Sequence, residues 1–450
     1  MKQFNLTYST IQWFALASLL SAVLVIAFGL QRTDSVALMF CFTLAFAAYW
    51  YLMAKSKRGH SYFIVGILPR IALLFSLPNL SDDYFRFLWD GELLNHSYGP
   101  YSYLPSELVE HLKALNPSNS MYVQSLYDGM NSPGYYSVYP PINQWLFWVS
   151  AQFSNIYLGV VFLKLCILLA DIGVFFVLKK LLQRFSLSTQ KVGLYWLNPL
   201  VIIELSGNVH FEGVLLFFFL LAALNFARLK DKEGAFYFAF SVLSKLFSLL
   251  FLPLLLLKFM PQRAIRVTVI VALVVLFCFM PLLDWVDVQH LFSSYDLYFQ
   301  HFEFNGGLYR LARFIGYSFS GYNQIAFVGP LLAILSTTII LLISYLYRFR
   351  NRLSLFTGFL LINGVYLFFS PIVHPWYLVM MIGFSVLSKH RFAWVWSGTI
   401  FLSYLFYQGE GVQENPWVIA LEYVPVFIVL YLDLKKHLTW TKIKAGLLLT

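Results

Sequence analysis

Residues 156–180 read IYLGVVFLKLCILLADIGVFFVLKK, an apolar run closed by a lysine pair. A helix rising about 1.5 Å per residue needs roughly 20 residues to cross the hydrocarbon of a bilayer, and this stretch is long enough. The rest of the chain has the same character. Hydrophobic residues make up 60% of its 450 residues and charged residues 12%, a balance that cannot clothe a water-soluble surface. The solvent for most of the chain is therefore lipid. Backbone groups in lipid must pair within a helix or a closed barrel, and unbroken apolar runs exclude the alternating strands of a barrel. The aromatic share of 19% suits lipid-facing helices with Tyr and Trp at the headgroup level.

These properties predict an all-α polytopic membrane protein with about 12 transmembrane helices, at 12–31, 35–54, 61–78, 156–180, 192–207, 213–229, 267–283, 322–347, 354–371, 376–388, 392–407 and 417–433. The first is read as a retained span, being long for a signal-peptide core and lacking a clear cleavage site. Charge tests the alternation. Of 31 Lys and Arg residues, 23 fall in one set of loops and five in the other, while Arg70, Lys164 and Lys245 lie inside apolar segments. By the positive-inside rule both termini are expected in the cytoplasm. The net charge of +10 is thus loop charge, and no nucleic-acid partner is expected. The apolar segment 235–257 is flanked by basic loops on both sides, which predicts a broken or re-entrant helix pair pivoting near Ser244-Lys245. Two large loops, 79–155 and 284–321, then face outward. The aromatic stretch 142–153 in the first reads as an interfacial helix.

The first loop opens with Ser81-Asp82-Asp83-Tyr84-Phe85-Arg86-Phe87-Leu88-Trp89-Asp90-Gly91 and continues to Tyr98-Gly99-Pro100-Tyr101. Two adjacent carboxylates near Arg86 and Asp90 share a helical face, and a partly desolvated carboxylate is a candidate general base. The same residues also read as a solvated helix cap with Ser81 or Asp82 at the N-cap. His210 and Glu212 sit in a short outward turn and read equally as polar turn residues or as a site. Lys245 near mid-membrane demands a partner or water unless it snorkels, and Arg70 is a candidate partner for Glu204, Asp171 or a ligand phosphate. Asn305-Gly306-Gly307 suits a loop rather than a phosphate cradle, and Trp376 and Tyr377 read first as interfacial anchors beside His374. Cys41, Cys166 and Cys278 all lie in apolar segments and read as packing residues. No metal-ligand spacing, Walker loop or dinucleotide loop occurs, so no cofactor is expected, although adjacent carboxylates leave a divalent metal open.

The run from Asp82 to Gly91 with Tyr98-Gly99-Pro100-Tyr101 resembles the first-loop motif of bacterial polyprenyl-phosphate-mannose-dependent mannosyltransferases of the GT-C superfamily. Tyr139-Pro140-Pro141, Asn208-Val209-His210-Phe211-Glu212, Ser244-Lys245, Phe304-Asn305-Gly306-Gly307-Leu308-Tyr309 and His374-Pro375-Trp376-Tyr377 follow in the matching order. The chain departs from the pattern at Phe87, Gly99 and Glu212, where Tyr, Asn and Asp are usual, which bears on the sugar. The resemblance implies one GT-C-like transmembrane domain over 1–450. It implies a polyprenyl-phosphate sugar donor, a glycan, lipid or protein acceptor, and chemistry on the extracytoplasmic face of the cell membrane. Asp83 or Asp82 is the expected base; spacing leaves the choice open. Arg86, Lys245, His210 and His374 are expected at the donor phosphate, and Trp89, Asp90, Tyr101, Glu212, Asn305 and Tyr377 at the substrate. The leaving phosphate is already anionic, so one base suffices without the second carboxyl of glycoside hydrolysis. A transporter or flippase of lipid-linked sugars is the alternative, since it too needs buried ions and a broken helix, but no internal repeat supports it.

Overall fold

The computed structural model describes residues 8–55, 62–283, 285–300, 302–408 and 411–447. Apart from a two-stranded hairpin pairing Tyr407–Gln408 with Gly411–Val412, the regular structure among these residues is helical. Among the described residues six helices are long and apolar enough to cross a membrane: Thr10–Gly29, Ser35–Ala54, Ile156–Arg184, Pro261–Phe279, Ile325–Tyr347 and Pro416–Lys436. The two expected spans at 192–207 and 213–229 fold as a pair, Pro199–Gly207 and Glu212–Ala227, bent by 112° and counting at most as a seventh crossing. The four remaining expected spans correspond to shorter apolar helices, Tyr62–Leu73, Ser354–Phe369, Pro375–Ser385 and Phe392–Phe406. The expected break near Lys245 is present: the helix Asp231–Ser244 stops, Lys245 is extended at φ −163°, and the chain resumes at Leu246.

The first large loop is itself helical, with helices Asp83–Asn95, Pro105–Leu115, Ser120–Gly129 and Pro141–Ala151. Pro at the first helical position starts the last of these, where a missing N–H costs nothing. It packs against Asp83–Asn95 through Gly91, where a Cβ would lie 2.1 Å from the Phe147 carbonyl oxygen. Phe87 and Phe147 stack at 4.7 Å, and both meet Phe211 edge-on at 5.6 and 5.5 Å. The loop is thereby pinned to the bend at 208–211.

Two buried cations among the described residues, Arg70 and Lys164, are held by polar partners. The Arg70 guanidinium bonds Asp171 at 2.6 Å, donates to the carbonyls of Gly66 and Trp196 at 2.8 Å each, and lies over the Trp196 ring. Tyr195 donates its hydroxyl to the other Asp171 oxygen at 2.7 Å. Lys164 donates to the carbonyls of Leu73 and Ser76 at 2.8 and 2.6 Å. Of the three partners the sequence allowed for Arg70, the structure selects Asp171. These bonds clamp Ile156–Arg184 to Tyr62–Leu73, the helix that leads into the first loop. Removing one partner of a buried pair strands the other, at a typical cost of about 3–5 kcal/mol. Asp171→Asn is therefore expected to lower the unfolding midpoint of the purified protein sharply, and Arg70→Met with Asp171→Leu to recover much of the loss. Equal stability of Asp171→Asn and wild type in a thermal melt would contradict the clamp.

Candidate active site

Asp82 and Asp83 stand at the start of the helix Asp83–Asn95, where carboxylates complement the helix dipole. Asp82 makes no side-chain cap; instead it pairs with Arg32 at 2.6 Å, and Arg32 also lies 5.3 Å over the Tyr407 ring. Asp83 differs. Burial pushes its carboxyl up to about 6, with Asp82 and Glu212 adding to the rise, while a hydrogen bond to Asn131 and the Lys245 cation oppose it. Two neighbouring carboxylates thus occupy different environments, one ion-paired and one desolvated.

Arg86 turns away from both. It bonds Asp90 at 2.7 Å one helical turn on, and the carbonyls of Ser132 and Tyr135 at 3.2 and 2.7 Å. Asp90 accepts in addition from Ser137 and from Gln144. Trp89 is fully buried, and Tyr101 donates to the Tyr139 carbonyl at 2.7 Å. The structure thus sets Arg86, Trp89, Asp90 and Tyr101 into the scaffold of the loop, behind the carboxylates. Asn305 is likewise enclosed. Its side-chain amide donates to Glu422 at 3.0 and 3.2 Å, and its carbonyl accepts from Tyr423 at 2.7 Å.

The other expected residues converge. The first of the two bent helices ends in a π-helical turn, Ile202–Gly207, and beyond it Val209 takes a left-handed φ of 63° that β-branched residues rarely adopt. This turn delivers Glu204, His210 and Glu212 to one place. Glu204 accepts from Tyr404 at 2.9 Å and Asn208 at 3.1 Å, and lies 3.5 Å from His210 Nε2. Glu212 pairs with Lys245, whose ammonium also sits 4.7 Å over the Tyr377 ring. The Lys245 side chain is 38% exposed, so the cation remains reachable.

Four rings form a stack beside it. Trp376 lies between His210 at 3.8 Å and His374 at 4.3 Å, and Phe304 covers the far side of His374 at 4.7 Å. Phe304 gets there by backbone pairing: its N–H donates to Pro371 at 3.0 Å and its carbonyl accepts from Val373 at 2.8 Å. Burial and the Lys245 charge press the His374 imidazole down to about 3, so it is neutral at physiological pH. His210 Nε2 and His374 Nδ1 are buried without a hydrogen-bond partner among the described residues. Such atoms carry a desolvation cost.

Sequence reasoning missed Arg32, Asn131, Tyr404 and Tyr407 and set Trp376 aside as an anchor. Arg32 alone carried a signal, as a cation on the side of the loop alternation that is otherwise poor in them. The ring contacts of Trp376 had none, because stacking across 166 residues leaves no local pattern. Among the described residues no three His, Cys, Asp or Glu side chains converge as a metal site.

Residues 10–261 match the MptA/B family, described as alpha-(1->6)-mannopyranosyltransferase, N-terminal domain. That stretch is more than half of the chain and holds Arg32, Asp82, Asp83, Glu204, His210, Glu212 and Lys245, whereas His374, Trp376 and Tyr377 lie beyond it. No curated protein matches the chain.

The raised Asp83 value has a stability consequence. A carboxyl that ionises at about 6 when folded, against 3.8 ordinarily, disfavours the folded state wherever it is ionised; the penalty is absent below about pH 4, grows with pH, and is complete above about 6. Asp83→Asn is expected to match wild type near pH 4 and to exceed it at pH 7.5 by on the order of 2 kcal/mol. Thermal unfolding at the two pH values measures this, and a variant less stable than wild type at pH 7.5 would refute the desolvated carboxylate.

Proposed function

The chain belongs to the alpha-(1->6)-mannopyranosyltransferase family, and from that premise we propose that it transfers mannose from a polyprenyl-phosphate carrier to an acceptor hydroxyl, on the extracytoplasmic face, by single displacement with inversion. In this reading Asp83 is the base. Its carboxylate takes the acceptor proton as the acceptor oxygen attacks the anomeric carbon. The bond from that carbon to the phosphate oxygen breaks, and the polyprenyl phosphate departs with the electron pair. No acid is needed, because the leaving group is stable as an anion. A base titrating near 6 is mostly ionised at neutral pH yet basic enough to accept a proton in the transition state.

The single observation that carries the proposal is the geometry around Lys245: the ammonium pairs with Glu212 and lies over the Tyr377 ring beside the His210–Trp376–His374 stack, and its charge opposes the burial that raises the Asp83 carboxyl. A base and a cation within one cluster suit an acceptor oxygen on one side of the sugar and a departing phosphate on the other. Lys245 supplies the positive charge, and the imidazoles of His210 and His374 stand beside it in the ring stack. Arg86, spent on Asp90 and two carbonyls, is assigned to the loop instead. Asp82, neutralised by Arg32, is assigned to holding the helix start. The polyprenyl carrier fits a chain with many apolar helices, and the sparse positive charge of the loops around Asp83 fits an extracytoplasmic face.

Purified protein given a polyprenyl-phosphate-mannose donor and an α-(1→6)-linked manno-oligosaccharide tests this. Asp83→Asn is expected to lower kcat by about 10²–10⁴, Lys245→Met by about 10²–10³, and Asp82→Asn by less than about tenfold. The wild-type rate should fall as pH drops through about 6, when the base takes up its proton. Comparing the anomeric configuration of donor and product by NMR reads the inversion. Undiminished transfer by Asp83→Asn would remove Asp83 as the base.

A further inference from the structure

Glu422 is a fully buried carboxylate that the transfer chemistry above does not use. It lies in the apolar helix Pro416–Lys436, where an ionisable side chain is costly and is seldom kept without a task. Both of its oxygens accept from the Asn305 side-chain amide, at 3.2 and 3.0 Å, and one also accepts from Trp396 Nε1 at 2.8 Å. We propose that Glu422, acting through Asn305, is the positioning residue that sets His374 and its ring stack beside Lys245. This rests on the transfer reading above, in which that stack flanks the cation for the departing phosphate.

The route from Glu422 to His374 is short. An amide nitrogen has two hydrogens to donate. On Asn305 the nitrogen that meets Glu422 also donates to the Val373 carbonyl at 3.4 Å, and Val373 directly precedes His374. Contact with two carboxylate oxygens fixes the amide plane more firmly than contact with one, and so fixes what reaches Val373. Phe304 meets the same segment through its backbone bonds to Pro371 and Val373, and its ring lies on His374 at 4.7 Å. From Glu422 to the imidazole there is thus one amide and one residue of backbone.

The flanking residues are shaped for this junction. Asn305 takes φ 55°, a left-handed conformation in which Asn is enriched among side-chain-bearing residues. Tyr423, next to Glu422, donates to the Asn305 carbonyl at 2.7 Å, and Glu414 accepts the Asn305 N–H. A Cβ on Gly306 would lie 2.9 Å from the Pro371 carbonyl oxygen, and one on Gly307 would run into the Tyr423 ring. The two glycines therefore let one segment approach both the turn before His374 and the last helix. Trp396 is itself fully buried, so the carboxylate that orders Asn305 is held from behind.

The test uses the full chain in nanodiscs with carbon-13-labelled histidine, the His374 signal being assigned by its loss in His374→Gln. Stacking between Trp376 and Phe304 should hold the His374 ring protons upfield of ordinary histidine signals. Glu422→Leu is expected to return them downfield, and Glu422→Gln, which keeps the shape and one acceptor oxygen, to move them part of the way. In turnover, Glu422→Leu should raise the donor KM about tenfold and Glu422→Gln about threefold, with the acceptor KM unchanged. Where Glu422→Leu does not fold, Glu422→Gln decides. The His374 signal needs no turnover, so it tests the positioning even where no mannose is transferred. Two outcomes overturn the proposal: a His374 signal that Glu422→Gln leaves in place, or donor and acceptor KM rising together, which would make Glu422 a brace of the whole fold.

Discussion

Lys245 and Glu212 form the ion pair around which the centre of this protein is arranged. A lone charge at this depth would be costly, and each of the two sits where a helix end already favours it. Glu212 is the first residue of the helix Glu212–Ala227, at its positive end, and Lys245 follows the last residue of Asp231–Ser244, at its negative end. The two helices pack side by side, so the favourable ends coincide and the charges meet. Both helix breaks are needed for this. Without the turn at 208–211, Glu212 would continue along a span, and without the extended Lys245, the cation would point along a helix flank.

Once the pair is in place, its surroundings follow from packing. Tyr377 covers the ammonium, and Trp376 is stacked between two imidazoles. The loop helix Asp83–Asn95 reaches the same spot because Phe87 and Phe147 wedge against Phe211 in the bend. Aromatic packing therefore sets the separation of carboxylate and cation. The resulting environment treats Asp82 and Asp83 unequally, and unequal carboxylates are what single-base chemistry needs.

The motifs were legible in the sequence because they combine residue types that lipid does not tolerate without cause. Asp82, Asp83, His210, Glu212, Lys245, His374 and Tyr377 were all visible that way, and the structure brings them together. Arg86, Trp89, Asp90, Tyr101 and Asn305 were equally visible and turned out to brace the scaffold. A buried arginine bonded to an aspartate four residues on has the same sequence spacing as one that faces a ligand. Only the carbonyls of Ser132 and Tyr135, some 46 to 49 residues away, reveal which it is.

Composition and charge asymmetry by themselves pointed to a chain of apolar helices with lipid as its solvent, since hydrocarbon forbids unpaired backbone. They also located the break at Lys245, where an apolar segment lies between two basic loops. Tertiary structure decided what sequence spacing could not. It assigned Arg70 to Asp171, Arg32 to Asp82, Arg86 to Asp90 and Lys245 to Glu212, with the Lys245 ammonium still reachable. The physical reason is range. Helix formation and partition into lipid depend on neighbours a few residues apart, whereas the protonation of Asp83 depends on burial and on charges supplied by chain segments more than a hundred residues away.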